Sequence, residues 1–399
     1  MLTHLFKLIW NKKKQNFLLM IEMFVSFLVM FAVFTLLVYY YHNYKQPMGF
    51  DYKNVWVVNY NPPPNNNSGD SALLFHDALL KMIKSMPEVE EASYTSENVP
   101  FSMNTNNTEV GYRNQQHVRS NVYQCEEQYK NVLGATMAAG RWFNPSDDVK
   151  GKYTPVILNE KLKEQLFGNE NAVGKVIGEN QMETRTLVDK YRVIGVIKNM
   201  KDKGDYQAVE NGMYLKMDTG WMKWNGNILV KVRPTAKAAF ESRLSKSLSN
   251  AIGTSVEIEH LEKKLVSKNK IMLVPMIIAL MVAGFLIINV ALGLFGVLWY
   301  NINKRKSEIG LRRAVGAAGS SISWQLVGEA LVLSTLSLLI GTFFAVQFPL
   351  MNVFDLPASV YLVAIAFSIG FIYLLVMICA FYPGRQAAAI YPAVALHEE

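Results

Sequence analysis

Four long apolar runs set the plan of this chain, at roughly 17–41, 271–302, 321–347 and 358–381. A helix needs ~20 residues to cross a bilayer, so each run predicts a membrane-spanning helix. Between the first and second lies a polar region, 42–270, large enough for one or two domains with their own core. Its pattern changes every few residues. Residues 55–58 predict a strand, whereas Asn61-Pro62-Pro63-Pro64-Asn65 cannot be helix or central strand. Leu74, Ala78, Met82 and Met86 then give a helical period over 71–86. Residues 97–117, rich in Asn, Thr and Gln, read as an exposed loop or edge hairpin. Further strands are predicted at 118–123, 155–158, 191–197, 213–215 and 228–232, and helices at 159–167 and 235–250. From about His260 the pattern turns helical and basic and runs into the second span, with Pro275 one turn inside it.

Charge orients this plan. The chain has 399 residues, 51% of them hydrophobic, and a net charge of +8. That charge is concentrated at particular segments, which argues against a nucleic-acid partner. Lys7, Lys12, Lys13 and Lys14 precede the first span, and five basic residues crowd 303–320. The 348–357 loop carries only Asp355. The positive-inside rule then places the N-terminus, the 303–320 loop and the 382–399 tail in the cytoplasm, and 42–270 outside. The expected fold class is an α-helical membrane protein with four transmembrane helices and a large α+β extracytoplasmic domain between the first and second. Cys125 lies in the large outer region and Cys379 in the last span, so no disulfide between them is expected.

Polar residues inside the apolar runs need an account. Residues 1–16 read as a cytoplasmic amphipathic helix, with Leu2, Leu5, Phe6 and Ile9 on one face. The first span ends in Tyr39-Tyr40-Tyr41 without a cleavage pattern, so it reads as a retained anchor. Glu22 lies within it, shallow enough to snorkel. Asn289, Gly284, Gly293 and Gly296 offer small or polar surface for helix–helix contact in the second span. Ser321, Gln325 and Glu329 form a polar stripe in the third. Glu329 is ~10 Å into the helix and should face protein, as an interhelix hydrogen bond in preference to a proton carrier.

The most patterned stretch is Lys304-Arg305-Lys306-Ser307-Glu308-Ile309-Gly310-Leu311-Arg312-Arg313-Ala314-Val315-Gly316-Ala317. Glu308 stands four residues before Arg312, the favoured order for a helical ion pair, while Leu311 and Val315 share another face. Gly316 through Gly319 lets the chain turn back. This stretch resembles the cytoplasmic loop of FtsX/MacB-type ABC transporter permeases. Gly140-Arg141-Trp142-Phe143, the strand at 156–159, Phe167-Gly168 to Gly174-Lys175 and the strand at 191–196 resemble landmarks of the outer domain of that family. Gln325-Leu326-Val327-Gly328-Glu329 and the tail from Pro383 to Leu396 resemble two more, though Gly384 and Tyr391 depart from the commoner residues.

The resemblance implies a permease subunit that transmits ATP-driven change from separate ATPase subunits to the outer domain, for efflux or export. It implies two subdomains, about 42–115 with 226–270, and 116–225. It assigns ATPase coupling to Glu308, Ile309, Gly310, Leu311, Arg312, Arg313, Gly316 and Ala317, with Gln325, Glu329 and Asn289 as polar residues of the spans. Expected partners are a cytoplasmic ABC ATPase, a second copy or a related permease, the lipid bilayer, and a periplasmic adaptor or outer-membrane channel. The expected location is a bacterial plasma membrane. A regulator of cell-wall hydrolases would share the topology. A membrane-anchored sensor would need a cytoplasmic output domain, which the tail is too short to supply.

No catalytic constellation is legible, so an enzyme is not expected, nor a cofactor or metal. The six histidines are scattered without ligand spacing. Gly168 to Val176 mimics a phosphate-binding loop, but it has five residues between its glycines and valine after Lys175, where Ser or Thr would ligate magnesium.

Overall fold

The computed structural model describes residues 13–62, 69–103, 105–113, 115–148, 151–180, 187–218 and 226–389. The expected helix at 1–16 thus lies mostly outside the described residues, as do 63–68 of the proline-rich loop and the tail from Ile390, with Tyr391. In chain order the elements are α1 Lys13–Lys45, β1 Val55–Tyr60, α2 Gly69–Lys84, β2 Val89–Tyr94, β3 Asn107–Tyr112, β4 Gln115–Cys125, α3 Tyr129–Val132 and β5 Met137–Gly140. Then come β6 Thr154–Asn159, α4 Glu160–Phe167, β7 Val176–Asn180, β8 Leu187–Ile197, β9 Gly212–Lys216, β10 Asn227–Val232, α5 Ala238–Ile252 and β11 Val256–His260. The chain closes with α6 Leu261–Lys304, α7 Lys306–Ala314, α8 Gly319–Leu350 and α9 Ala358–Ala388. They form two compact units, Asn43–Met272 and the remainder.

Within Asn43–Met272 lie two sheets. The smaller runs β11-β1-β10-β2, antiparallel throughout. Successive side chains of a strand point to opposite faces. Trp56 and Val58 pack with Leu79 and Ile83 of α2 and Phe240, Leu244 and Leu248 of α5. Val55 and Val57 join a second cluster with Tyr123, Tyr214, Leu261 and Leu265. β1 is buried on both faces, which is why it reads as an unbroken apolar run. The edge strands of this sheet, β2 and β11, carry Glu90, Glu91, Glu257 and Glu259, a charge pattern that protects an edge and hides a strand in sequence.

The larger sheet runs β5-β8-β6-β9-β4-β3-β7, and a further β7–β8 pairing closes six of these strands into a ring. Val110, Val156, Leu158, Ile177, Val193 and Met213 form one core here. The hairpin expected as an edge is internal, because β3 pairs with both β4 and β7. The subdomain limit at 115/116 therefore needs correcting: it cuts β4 after its first residue, and β3, which pairs with β4, belongs with the larger sheet. At Gly140 (φ 68°) the chain turns so closely past Ile194 and Gly195 that a side chain has no room.

In the other unit, α1, α6, α8 and α9 are, among the described residues, the helices long and apolar enough to cross a membrane. Met23, Phe27 and Phe31 of α1 sit in a shared core with Leu294 of α6, Leu338 of α8 and Ala364 of α9. Phe31 meets Phe348 edge to face at 5.5 Å, and Phe34 meets Phe371 at 6.0 Å. Gly341 accommodates the ring of Phe27, and Gly293 lies against the Glu22 carboxylate. Glu22 thus faces α6. A methyl group added at Gly284 or Gly296 would meet no other helix within 4 Å among the described residues. With 44 residues, α6 would be ~66 Å long, about twice a bilayer core.

Candidate functional site

The nine residues of α7 form a short helix joined to α6 through Arg305 and to α8 by a turn at Val315–Ala318. Glu308 stands in its first turn and Arg312 and Arg313 in its last, the charge order that the helix dipole favours. Ile309 and Gly310 are buried, and Ile309 packs with Ile302, Ile322, Leu326 and Ala387. The opposite face is open: Leu311 is 56% exposed and Val315 83%. Gly316 turns the chain at φ 100°, where a side chain would be strained.

A continuous set of charged and polar bonds fixes this helix to α8. Arg312 donates to Glu308 at 2.6 Å and to the Gln325 amide oxygen at 3.0 Å. Gln325 donates to Glu329 at 3.2 Å. Arg305 lies at the centre, donating to Glu308 at 3.1 Å and to Glu329 at 3.1 Å. Its side chain is 12% exposed and that of Glu329 is 21% exposed, so the pair is largely withdrawn from water, where charge-assisted bonds are stronger. Arg313 stands apart, reaching the Ala317 carbonyl at 3.4 Å. Ala317 packs partly against the Ile309 cluster.

The predicted residues Glu308, Ile309, Gly310, Leu311, Arg312, Arg313, Gly316, Ala317, Gln325 and Glu329 are therefore brought together at one end of the spans. Asn289 is not. It is exposed on α6 and its amide donates to the Phe285 carbonyl of its own helix, so it makes no polar helix–helix contact among the described residues. Glu329 meets a loop arginine 24 residues back in the chain, where a polar partner on another span was expected.

A model of the MacB-like periplasmic core domain matches residues 17–247, more than half of the chain. A model of the FtsX-like permease C-terminal region matches 280–392, which holds α7, α8 and the bonds between them. The chain belongs to the MacB/FtsX family of ABC transporter permeases. Among relatives of this MacB/FtsX permease, the macrolide export ATP-binding/permease protein MacB of Neisseria gonorrhoeae is 25% identical over 336 residues, covering 78% of this chain and 48% of the relative. MacB of Rhodopseudomonas palustris is 28% identical over 304 residues, covering 68% and 42%. The chain spans about half the length of the curated relatives it matches. Two solved structures are similar in part. The periplasmic region of MacB from Actinobacillus actinomycetemcomitans has 20% identity and a TM-score of 0.37, covering 53% of this chain and 91% of that one. The extracellular domain of the noncanonic ABC-type transporter YknZ from Gram-positive bacteria has 16% identity and a TM-score of 0.35, covering 52% and 100%.

Sequence reasoning about this permease missed two groups. The pairing of Arg305 with Glu329 has no spacing signal, because Glu329 lies 24 residues on, in α8. The other is Lys201-Asp202-Lys203-Gly204-Asp205, which looks like a solvated turn yet has Lys201, Asp202 and Lys203 buried. Lys201 donates to the Asn43 carbonyl at 2.6 Å and to that of Asp205 at 2.8 Å. Asn269 donates to Asp205 at 2.6 Å, and Tyr123 to Asp202 at 2.5 Å. This one loop therefore gathers both chain ends of the α+β domain, beside Asn43 and beside Asn269. The only hint in sequence was an unusual density of charge between two apolar strands.

Proposed function

We propose that this permease is the driven part of an ATP-powered machine: cytoplasmic ABC ATPase subunits grip α7, and the spans carry its movement to the α+β domain outside. The observation that carries this reading is the two-sided character of α7. Its inner side is fixed by Ile309 and by Arg305, Glu308 and Arg312 to α8. Its outer side presents Leu311 and Val315 to a partner. A force applied to such a helix displaces the spans instead of being lost in a loose loop. Glu308, Arg312, Gln325 and Glu329 hold the helix, Leu311, Val315 and Arg313 meet the partner, and Gly316 and Ala317 form the turn.

Lysines before α1 and the basic residues around α7 support a cytoplasmic N-terminus and α7, with 43–272 on the outer side. ATP hydrolysis belongs to the partner in this reading. A near-complete switch requires the ATP-bound partner to favour one arrangement of the spans by about 5.5 kcal/mol. Relatives named for macrolide export support efflux or export as the outcome, with two permease subunits and an adaptor or outer channel completing the assembly. The test is co-purification. Leu311→Asp with Val315→Asp should abolish recovery of an ABC ATPase, identified by its nucleotide-binding-loop peptide, while the variant still inserts into the membrane. Undiminished recovery would refute docking at α7.

A further inference from the structure

A groove of about 420 Å³ runs beside the first turns of α6, lined by Phe101, Met103, Ile258, Lys263, Lys268 and Ile271. Its walls combine cations with apolar surface. Lys268 is only 6% exposed, and its ammonium donates to the Ser102 carbonyl at 3.0 Å and the Met103 sulfur at 3.2 Å. Among the described residues no carboxylate lies within ion-pair distance of it. Asp202 is already engaged by Tyr123 at 2.5 Å and Lys203 at 3.6 Å. A buried ammonium without an anion is costly. Burial, and then the charge of Lys203, accordingly depress the Lys268 pKa, with Asp202 and Glu210 opposing from beyond ion-pair distance. Glu259, the carboxylate among the described lining residues, is held by Lys264 at 2.5 Å and Asn59 at 3.0 Å. Lys263 is exposed on the same groove. The lining is therefore positive in balance, and among the described residues its deepest cation has no carboxylate in direct contact.

The groove also ends at a particular place. Ile271 opens the apolar run of α6 and is 48% exposed, while Met103 is 62% exposed. Lys268 precedes Ile271 by three residues, ~4.5 Å of helix rise, so the cations stand where the lipid-compatible part of the helix begins. Cations at that level with an apolar wall beside them match a phosphodiester head followed by acyl chain.

We propose that this groove binds the phosphate of an anionic membrane phospholipid, with Lys268 and Lys263 taking phosphate oxygens and Met103 and Ile271 covering the first methylenes of the chains. The site lies wholly in the α+β domain and needs neither ATPase docking nor a given sidedness, so it stands or falls apart from the proposed function. The experiment uses the full chain in nanodiscs with photoactivatable phosphatidylglycerol, mapping adducts by peptide mass spectrometry. Adducts are expected on the peptides holding Met103 and residues 263–271, lowered about fivefold by Lys263→Glu. Unlabelled phosphatidylglycerol should compete, and diacylglycerol or inorganic phosphate should not. Lys268→Met should lower the adducts further. If that variant fails to fold, Lys263→Glu, on the exposed rim, decides the matter. Unchanged labelling in Lys263→Glu, adducts confined to other segments, competition by phosphate alone, or cross-links joining two copies of the chain at the groove would each overturn the proposal.

Discussion

At the residue scale, close packing decides what each glycine tolerates. A methyl group at Gly341 would overlap the Phe27 ring, which is fully buried against three helices. Gly341→Ala should therefore cost about 1–3 kcal/mol through overpacking. Gly370, where an added methyl would meet nothing within 4 Å among the described residues, should tolerate alanine or gain up to about 1 kcal/mol of helix propensity. Thermal unfolding of the two variants in one detergent checks the contrast. Burial also sets a pH dependence. It raises the Asp202 carboxyl above its ordinary value of 3.8, with Lys203 and the Tyr123 hydrogen bond opposing the shift. Glu126 is raised for the same first reason, burial. A carboxyl with a raised folded pKa takes up its proton more readily in the folded state. Stability of the α+β domain should thus rise as pH falls from neutrality through those raised values, and flatten near the ordinary ones. Asp202→Asn should flatten part of that rise in melting curves taken between neutral and mildly acid pH.

At the element scale, what sequence could show depended on whether an element's partners were local. Glu308 and Arg312 sit one helical turn apart, so their 2.6 Å pair was legible. Arg305 and Glu329 come together only because α7 folds back on α8, and no periodicity reports that. β1 was legible because both of its faces are buried, while β2 and β11 were not, since edge strands take charge. The 201–205 loop went unnoticed for a related reason: charge usually means solvent, but here backbone carbonyls and Asn269 satisfy it inside the domain. The Arg305–Glu329 contact has its own test. Arg305→Gln and Glu329→Gln should each lower stability and ATPase coupling, and the double variant should lose less than their sum. A double-mutant cycle should return about 0.5–3 kcal/mol of interaction. Strict additivity would show that the pair does not fasten α7 to α8.

At the scale of the whole molecule, the four apolar runs and the inserted α+β domain were evident from hydropathy alone, because a bilayer imposes length and composition on anything that spans it. The ring of six strands was not, since its closure depends on pairings between segments far apart in sequence, such as β3 with β7. The proposed function rests on how these parts connect. α6 is one helix from Leu261 in the α+β domain to Lys304 beside α7. α1 likewise runs to Lys45, and the 201–205 loop holds Asn43 and Asn269 near their entry to that domain. In the proposed mechanism these two helices are the routes by which a displaced α7 acts on the α+β domain. Hydrogen exchange of residues 43–272, in the complex with the ABC ATPase and with or without a non-hydrolysable ATP analogue, tests this most directly. Nucleotide should change protection around Asn43, 201–205 and Asn269 in the native chain and leave it unchanged in the Leu311→Asp, Val315→Asp variant. No change in the native complex, or the same change in the variant, would contradict transmission through α7.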